Sequence, residues 1–395
     1  APTFGRKQWR EHSERYLRAL LVQTRERGNA ENLAEAVDVP ARSFQRFLTE
    51  ASWDDAALTC QLQRYLAPRL NHPLAVWAVD ESGVPKQGDK SVGVARQYCG
   101  ALGKVDSCQI GVFLSHVGPR GRAIVDKRLY LPKDGWAKDP ARCEAAGVPK
   151  QEREQGYRTK AQLALTLLER ARQIGALHAE WVTADDEYGK SPEFRDGVER
   201  MGLLYAAEVP SNTWVWALPS RRVPARKMQV SQLAAEAKPG AWRSIGVAEG
   251  AQGMRAYRFT FVRVQENRDK APGREVWLVL RRNEDGSEPR FYFSNAPERT
   301  PRRTLARVAA SRWPIETELE VDKSHLGLDE YEVRSWQGWN HHITLCLLAS
   351  AFLLTLQQDW GEKAALDHPA AGLPGGFRTA AAQALDARRP PALAA

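Results

Sequence analysis

Three acidic residues far apart in the chain carry the strongest chemical signal. Asp80 closes the apolar run Leu74-Ala75-Val76-Trp77-Ala78-Val79, and Asp185 closes a second, Trp181-Val182-Thr183-Ala184. Glu316 opens a helical segment, Ile315 to Leu326, with Arg312 four residues before it and Lys323 seven after. At about 100° per residue, Arg312, Glu316 and Lys323 fall at roughly 0°, 40° and 20° on one helix face. Carboxylates are hard oxygen ligands suited to Mg²⁺, which keeps several waters and accepts phosphate oxygens. Two carboxylates at strand ends and one on a helix across the crevice would hold two divalent ions, the arrangement that drives in-line displacement at phosphorus. Arg312 and Lys323 would then hold phosphates or the charge that develops in the transition state.

Other carboxylates compete for these roles. Glu81 follows Asp80, Asp186 and Glu187 follow Asp185, and Glu318, Glu320 and Asp322 surround the helix position. Strand geometry favours the first acid after each apolar run. For any one carboxylate a solvated surface position is the commoner explanation, and spacing alone leaves the two readings even. Pro314 is tolerated in a first helical turn, so the helix is expected to start near Trp313 and leave Arg312 just outside.

The elements that must position these residues follow from the apolar pattern. Residues 1 to about 70 read as helical, with Leu17, Leu20, Leu21 and Val22 in one stripe. Asn29 to Glu50 reads as helix, turn, helix, broken at Val39-Pro40, with Phe44, Phe47 and Leu48 inward. This leaves Arg42, Gln45 and Arg46 to face a DNA groove, only slightly favoured over a plain helical hairpin. Strands are expected at Leu74–Val79, Cys108–Leu114, Ile124–Leu131 and Trp181–Ala184, and an amphipathic helix at Lys160–Ile174. Together they make a mixed α/β sheet. Residues 210–298 read as an inserted antiparallel region, with strands at Trp242–Val247, Arg255–Val264, Val276–Arg282 and Arg290–Ser294. Helices return at Arg302–Ser311, Ile315–Leu326 and His341–Gln357, and the tail over 359–395 is rich in Ala and Pro and is expected to be loose.

A net charge of +9 and a pI of about 9.3 on 395 residues favour a polyanionic partner, most simply nucleic acid. The 5 cysteines are scattered and form no C-x-x-C pair, which argues against a disulfide framework and a zinc site and fits the reducing cytoplasm. From the polar start APTFGRKQWREHSERYL no signal peptide is expected. The apolar run Ile343–Leu356 is shorter than the roughly 20 residues of a membrane helix and reads as a buried core helix. His341 and His342 point to different helix faces, so a joint metal site is rejected. A Gly-rich phosphate loop is not found, so no ATP use is expected. Trp214, Trp216 and Trp242, in or near the inserted region, would stack on a flipped or single-stranded base, though core packing is the commoner role. Arg299, Arg302, Arg303 and Arg307 form a basic run, as well suited to phosphate contact as to a solvated helix face.

The resemblance becomes specific at Arg312-Trp-Pro-Ile-Glu316, followed after six residues by Lys323. It resembles the Arg-x3-Glu-x6-Lys signature of bacterial insertion-sequence transposases of the DDE type. That signature usually carries Tyr three residues before the Arg, where this chain has Ala309. WAVDESGVPKQGDKSVGVARQYCGALGKVDSCQIGVFL (77–114) resembles the first-Asp block of one subgroup, the DDE superfamily endonucleases. Arg128-Leu-Tyr-Leu-Pro-Lys-Asp-Gly-Trp136, WVTADDEYG (181–189) and HLGLDEYEVRSWQGWNHHITLCLLASAFL (325–353) agree with the same subgroup. The likeness covers most of residues 10 to 356.

The resemblance implies an RNase H-like catalytic core split over 71–209 and 299–358. A helical DNA-binding domain (1–70) precedes it, and the β-rich insertion (210–298) interrupts it. It implies that Asp80, Asp185 and Glu316 are the catalytic and metal-binding acids, using two Mg²⁺ or Mn²⁺ ions. The reaction implied is water attack at a transposon end, then attack of the freed 3′-hydroxyl on target DNA, with no covalent enzyme intermediate. The implied partners are double-stranded DNA and a second copy of the chain, because two ends must be joined. A regulator of transposase origin that binds without cutting, and a host nuclease of the same fold, are the competing expectations.

Overall fold

The N-terminal helices take their boundaries from local capping chemistry. In α1 (Lys7–Val22) the inward face is Tyr16, Ala19, Leu20 and Leu21. The Asn29 side chain accepts the backbone N–H of Asn32 and so caps α2 (Ala30–Ala36). The chain breaks at Val39-Pro40 and resumes as α3 (Ala41–Thr49), which buries Phe44, Phe47 and Leu48. α4 (Asp55–Leu70) starts on an Asp54 cap and buries Leu58, Leu62, Leu66 and Leu70 at four-residue spacing.

The computed structural model describes residues 3–22, 28–219, 225–250 and 253–360, so the Ala- and Pro-rich tail beyond 360 lies outside them. By contacts the chain divides into two units. One comprises 1–72, 81–178 and 315–395, the other 73–80 and 179–314.

In the first unit, α13 (Trp336–Trp360) packs against α1, α3 and α4. It is long and apolar enough to cross a membrane, but 89% of that apolar window is buried inside the protein, as a core helix requires. His341 stacks on Trp53 and faces the Leu48 carbonyl, while His342 sits between the Tyr16 hydroxyl and the Gly327 carbonyl. The two adjacent histidines thus serve different contacts. The strands here are β1 (Val76–Pro85, its second half), β2 (Ala95–Cys99), β3 (Lys104–Gly118) and β4 (Gly121–Leu129). β3 pairs antiparallel with both β2 and β4. The short helices α5 (Pro140–Ala145) and α6 (Lys150–Glu154) lead to α7 (Lys160–Ile174). α7 opens with a reciprocal Thr159/Gln162 capping box and ends at Gly175, whose φ of 63° an L side chain rarely adopts.

The second unit is a large mixed sheet flanked by helices. Its strands are the first half of β1, then β5 (Trp181–Ala184), β6 (Leu204–Val209), β7 (Trp214–Ala217), β8 (Arg226–Gln229), β9 (Arg243–Gly250), β10 (Gly253–Arg268), β11 (Ala271–Arg282) and β12 (Arg290–Ser294). They run in the order β1-β5-β6-β12-β11-β10-β7-β8, with β9 also on β10. β1, β5 and β6 are parallel neighbours, and the remaining pairs are antiparallel. The helices are α8 (Asp186–Gly189), α9 (Pro192–Arg200), α10 (Val230–Glu236) and α11 (Arg302–Ala310). Buried Glu266 on β10 pairs with Arg195 of α9 at 3.0 Å, tying helix to sheet.

Several expectations are refined. β5 and α7 match their expected bounds and α4 falls within the stretch expected to be helical, whereas β2, β6, β7 and β8 were not foreseen. Asp80 does not end a strand: β1 continues through it to Pro85. Glu81 does not interrupt the strand, because its carboxylate meets the Lys160 ammonium at 2.5 Å and is thereby neutralised.

Candidate active site

The parallel register sets the site. Val79 lies opposite Ala184, and Ala184 opposite Ala207. The next residue on each strand is an acid: Asp80 on β1, Asp185 after β5, and Glu208 on β6. With neighbouring strands about 4.8 Å apart, the three form a row across the sheet. The row lies where the parallel pairing ends, the side of an open α/β sheet on which ligands bind.

Each member is held differently. Asp80 is buried at 7% exposure, and its Oδ2 lies 3.8 Å from Arg312 Nη1. Asp185 is half-buried and caps α8, its Oδ1 accepting the N–H groups of Glu187 (3.1 Å) and Tyr188 (3.4 Å). Those two hydrogen bonds from the backbone fix the carboxylate's direction. Glu208 is buried; its Oε1 accepts from Arg290 Nη1 at 2.9 Å, and its Oε2 lies 3.0 Å from Arg312 Nε.

Gly189 closes this corner. A Cβ there would overlap the Glu208 carbonyl oxygen, so the glycine lets the Asp185 helix lie directly on β6. Gly189→Ala is expected to destabilise the protein by about 2–3 kcal/mol, as overpacking does, read as a lower urea midpoint. A midpoint equal to the parent's would mean that the contact is not tight.

The helix carrying Glu316 is α12 (Trp313–Leu326). It starts at Trp313, which leaves Arg312 just outside, as expected from Pro314. Arg312 falls in the second unit and Glu316 in the first. Glu316 is half-buried in the first turn and Lys323 half-buried in the last, the polarity that complements the helix dipole. Arg302 and Arg303 are exposed at the start of α11. Arg42 and Arg46 are exposed on α3 beside Gln45, and Arg46 pairs with Glu50 at 2.8 Å. Trp242 is buried under the Arg282 guanidinium, which assigns that ring to packing; Trp214 is 44% exposed.

The competing acids have other occupations. Glu187 pairs with Lys190. Glu320 and Asp186 are exposed. Glu318 and Asp322 are buried on α12, and burial pushes their carboxyls up to about 8 and about 7. The Ser115 hydroxyl donates to Glu318 at 2.5 Å.

The donor chemistry of Asp80 and Asp185, two carboxylates side by side, fits a hard divalent cation. Among the described residues no group of three or more His, Cys, Asp or Glu side chains gathers as a metal-holding cluster. The row therefore presents a pair of ligands rather than a finished cage. Glu208 was missed in the sequence, although Leu204-Tyr-Ala-Ala-Glu208 repeats the pattern of an apolar run closed by an acid.

Comparison with known proteins gives the family of the chain. The DDE superfamily endonuclease family matches residues 1–268. The probable transposase for insertion sequence element IS701 of Microchaete diplosiphon is 24% identical over 323 residues, covering 81% of this chain and 76% of its own. Among solved structures, the piggyBac transposase synaptic complex with hairpin DNA aligns over 96% of this chain and 71% of its own, at 11% identity and a TM-score of 0.46. The NurA nuclease from Sulfolobus solfataricus aligns over 65% and 81%, at 10% identity and a TM-score of 0.30. Scores this low carry nothing about the site.

Proposed function

Because this chain belongs to the DDE superfamily endonuclease family, among the insertion-sequence transposases of the DDE type, we propose that it is a DNA transposase. It cuts phosphodiester bonds at the ends of its own element and joins the freed ends to target DNA. The observation that carries this reading is the parallel register of Val79 with Ala184, which makes Asp80 and Asp185 the next residues of neighbouring segments. The IS701 relative supports the element-specific part of it.

In this reading, Asp80, Asp185 and Glu316 hold two ions of the Mg²⁺ or Mn²⁺ type, whose chemistry is activation of the attacking oxygen and stabilisation of the leaving one. The protein's own share is positioning. Backbone N–H groups aim Asp185, and β1 fixes Asp80 on both sides of its position. Arg312, beside Asp80, meets the scissile phosphate, and Lys323 meets a neighbouring one. Arg302 and Arg303 add backbone contacts on α11, and Arg42 and Arg46 present a basic face to a groove. The fold is then RNase H-like, split by the β-rich insertion, with a helical DNA-binding domain before it. The partners are double-stranded DNA at the terminal repeats and at the target, in the bacterial cytoplasm. A homodimer brings the two ends together.

The test uses the purified protein with DNA carrying the inverted repeats that flank its gene. Nicking at the repeat ends that requires Mg²⁺ or Mn²⁺, followed by joining to a target plasmid, is the expected result. Specific binding with no cutting in either metal would replace this reading with that of a DNA-binding regulator. Cutting without joining would replace it with a nuclease.

A further inference from the structure

Glu208 belongs to none of the roles above, yet it stands in the row with Asp80 and Asp185 and is buried. It has two cationic neighbours. Arg290 is hydrogen-bonded to one oxygen at 2.9 Å. Arg312 lies 3.0 Å from the other, without the alignment of a hydrogen bond, and 3.8 Å from Asp80. Arg312 is thus shared between two acids and sits nearer the one that holds no assigned ion. Coulomb attraction falls with distance, so in this arrangement Glu208 outweighs Asp80 as the arginine's partner.

We propose that Glu208 is a positioning residue: a buried counter-ion that holds the Arg312 guanidinium off Asp80, leaving that carboxylate for a divalent cation. The idea rests on the reading of Asp80 and Asp185 as cation ligands. Without the charge on Glu208, Asp80 still lies beside Arg312. The guanidinium then moves onto it and competes with the cation for the same oxygens. Arg290 cannot take the place of Glu208 beside Arg312, because two guanidinium cations repel. Glu208 acts through Arg312 and need not touch DNA.

The test compares the parent with E208Q, E208D, R312A and the double variant E208Q/R312A. The first measurement needs no metal: the ¹⁵N–¹H signal of the Arg312 Nε, assigned through its loss in R312A. It is expected to shift in E208Q and to return toward the parent position in E208D. An unchanged signal in E208Q overturns the proposal. The second measurement is calorimetric titration of Mg²⁺ into DNA-free protein. E208Q is expected to bind Mg²⁺ about tenfold more weakly, the scale of a lost supporting contact. Removing Arg312 as well should restore parent-like binding, a non-additivity that a merely structural defect does not produce. Equal weakening by E208Q with and without Arg312 also overturns the proposal, and makes Glu208 itself a cation ligand. A parent protein that takes up no Mg²⁺ counts against the cation reading of the acids, while the Arg312 signal still decides the role of Glu208. If E208Q does not fold, E208D carries both measurements: its shorter reach is expected to give a smaller shift and a smaller loss of binding in the same directions.

Discussion

Asp185→Asn is expected to slow metal-dependent cleavage of element-end DNA by about 10³-fold or more, close to 4 kcal/mol of transition-state stabilisation, while fold and DNA binding persist. The size follows from removing a charged oxygen from a site proposed to hold cations. The choice of Asn follows from the second job of Asp185. Its Oδ1 caps α8 through the N–H groups of Glu187 and Tyr188. Asn caps a helix about as well as Asp, whereas Ala forfeits about 1 kcal/mol of cap. A loss of cleavage in the Ala variant would therefore mix two causes, and the Asn variant isolates one. Cleavage rates on gels, DNA binding in EDTA and a thermal melt check the three parts. An Asn variant that cuts at the parent rate removes Asp185, and with it the paired-acid site, from the chemistry. Asp80→Asn should behave alike, because its backbone lies within a continuous strand and asks nothing of the side chain.

How much of this was legible in the sequence depends on how each element is buried. β5 is sealed on both faces, so its apolar run Trp181–Ala184 coincides with the strand. α7 announces itself through its capping box and a leucine-rich stripe. α4 lay within the stretch read as helical but its ends were not marked, because its apolar residues are interleaved with Arg and Gln and Pro68 near its end reads as a breaker. Asp80 was placed at a strand end because charge normally stops an apolar run. Here Lys160 neutralises the following Glu81, and the strand continues.

The site divides in the same way. Asp80 and Asp185 could be named because each closes a run long enough to register as a strand. Glu208 closes one as well, but two alanines weaken the signal of Leu204–Ala207. The sharing of Arg312 between Glu208 and Asp80 depends on strands far apart in the chain, and no local pattern encodes it. Arg312 was readable as a residue near Glu316 on a helical wheel and as the first residue of the Arg-x3-Glu-x6-Lys resemblance. Its observed partners in the second unit come from register and burial.

A stability effect that changes with pH is expected at Asp322. This carboxyl lies buried on α12 at 2% exposure, its Oδ2 has no hydrogen-bond partner, and burial raises it from 3.8 to about 7. In the unfolded chain it titrates at the ordinary value. Between about pH 4 and pH 7 the folded protein therefore holds a proton that the unfolded chain has lost. More protons bound in the folded state means that stability falls as pH rises, by about 1.4 kcal/mol per pH unit for one proton. The fall ends near pH 7, above which both states are ionised and the penalty is complete. Glu318, also pushed up by burial, extends the same trend to about pH 8. Asp322→Asn removes one titrating group and keeps the shape. At pH 8 the variant is expected to be more stable than the parent by about 2 kcal/mol, less than the full linkage because a charged buried site relaxes. At pH 4 the order should reverse or vanish, since the parent is already neutral and the extra amide donor of Asn needs a partner that a carboxyl does not. Urea unfolding at pH 4, 6 and 8 reads the crossing directly. Two parallel stability curves, with the variant below the parent throughout, would mean that Asp322 is ionised in the folded protein and held by a cation rather than by its proton.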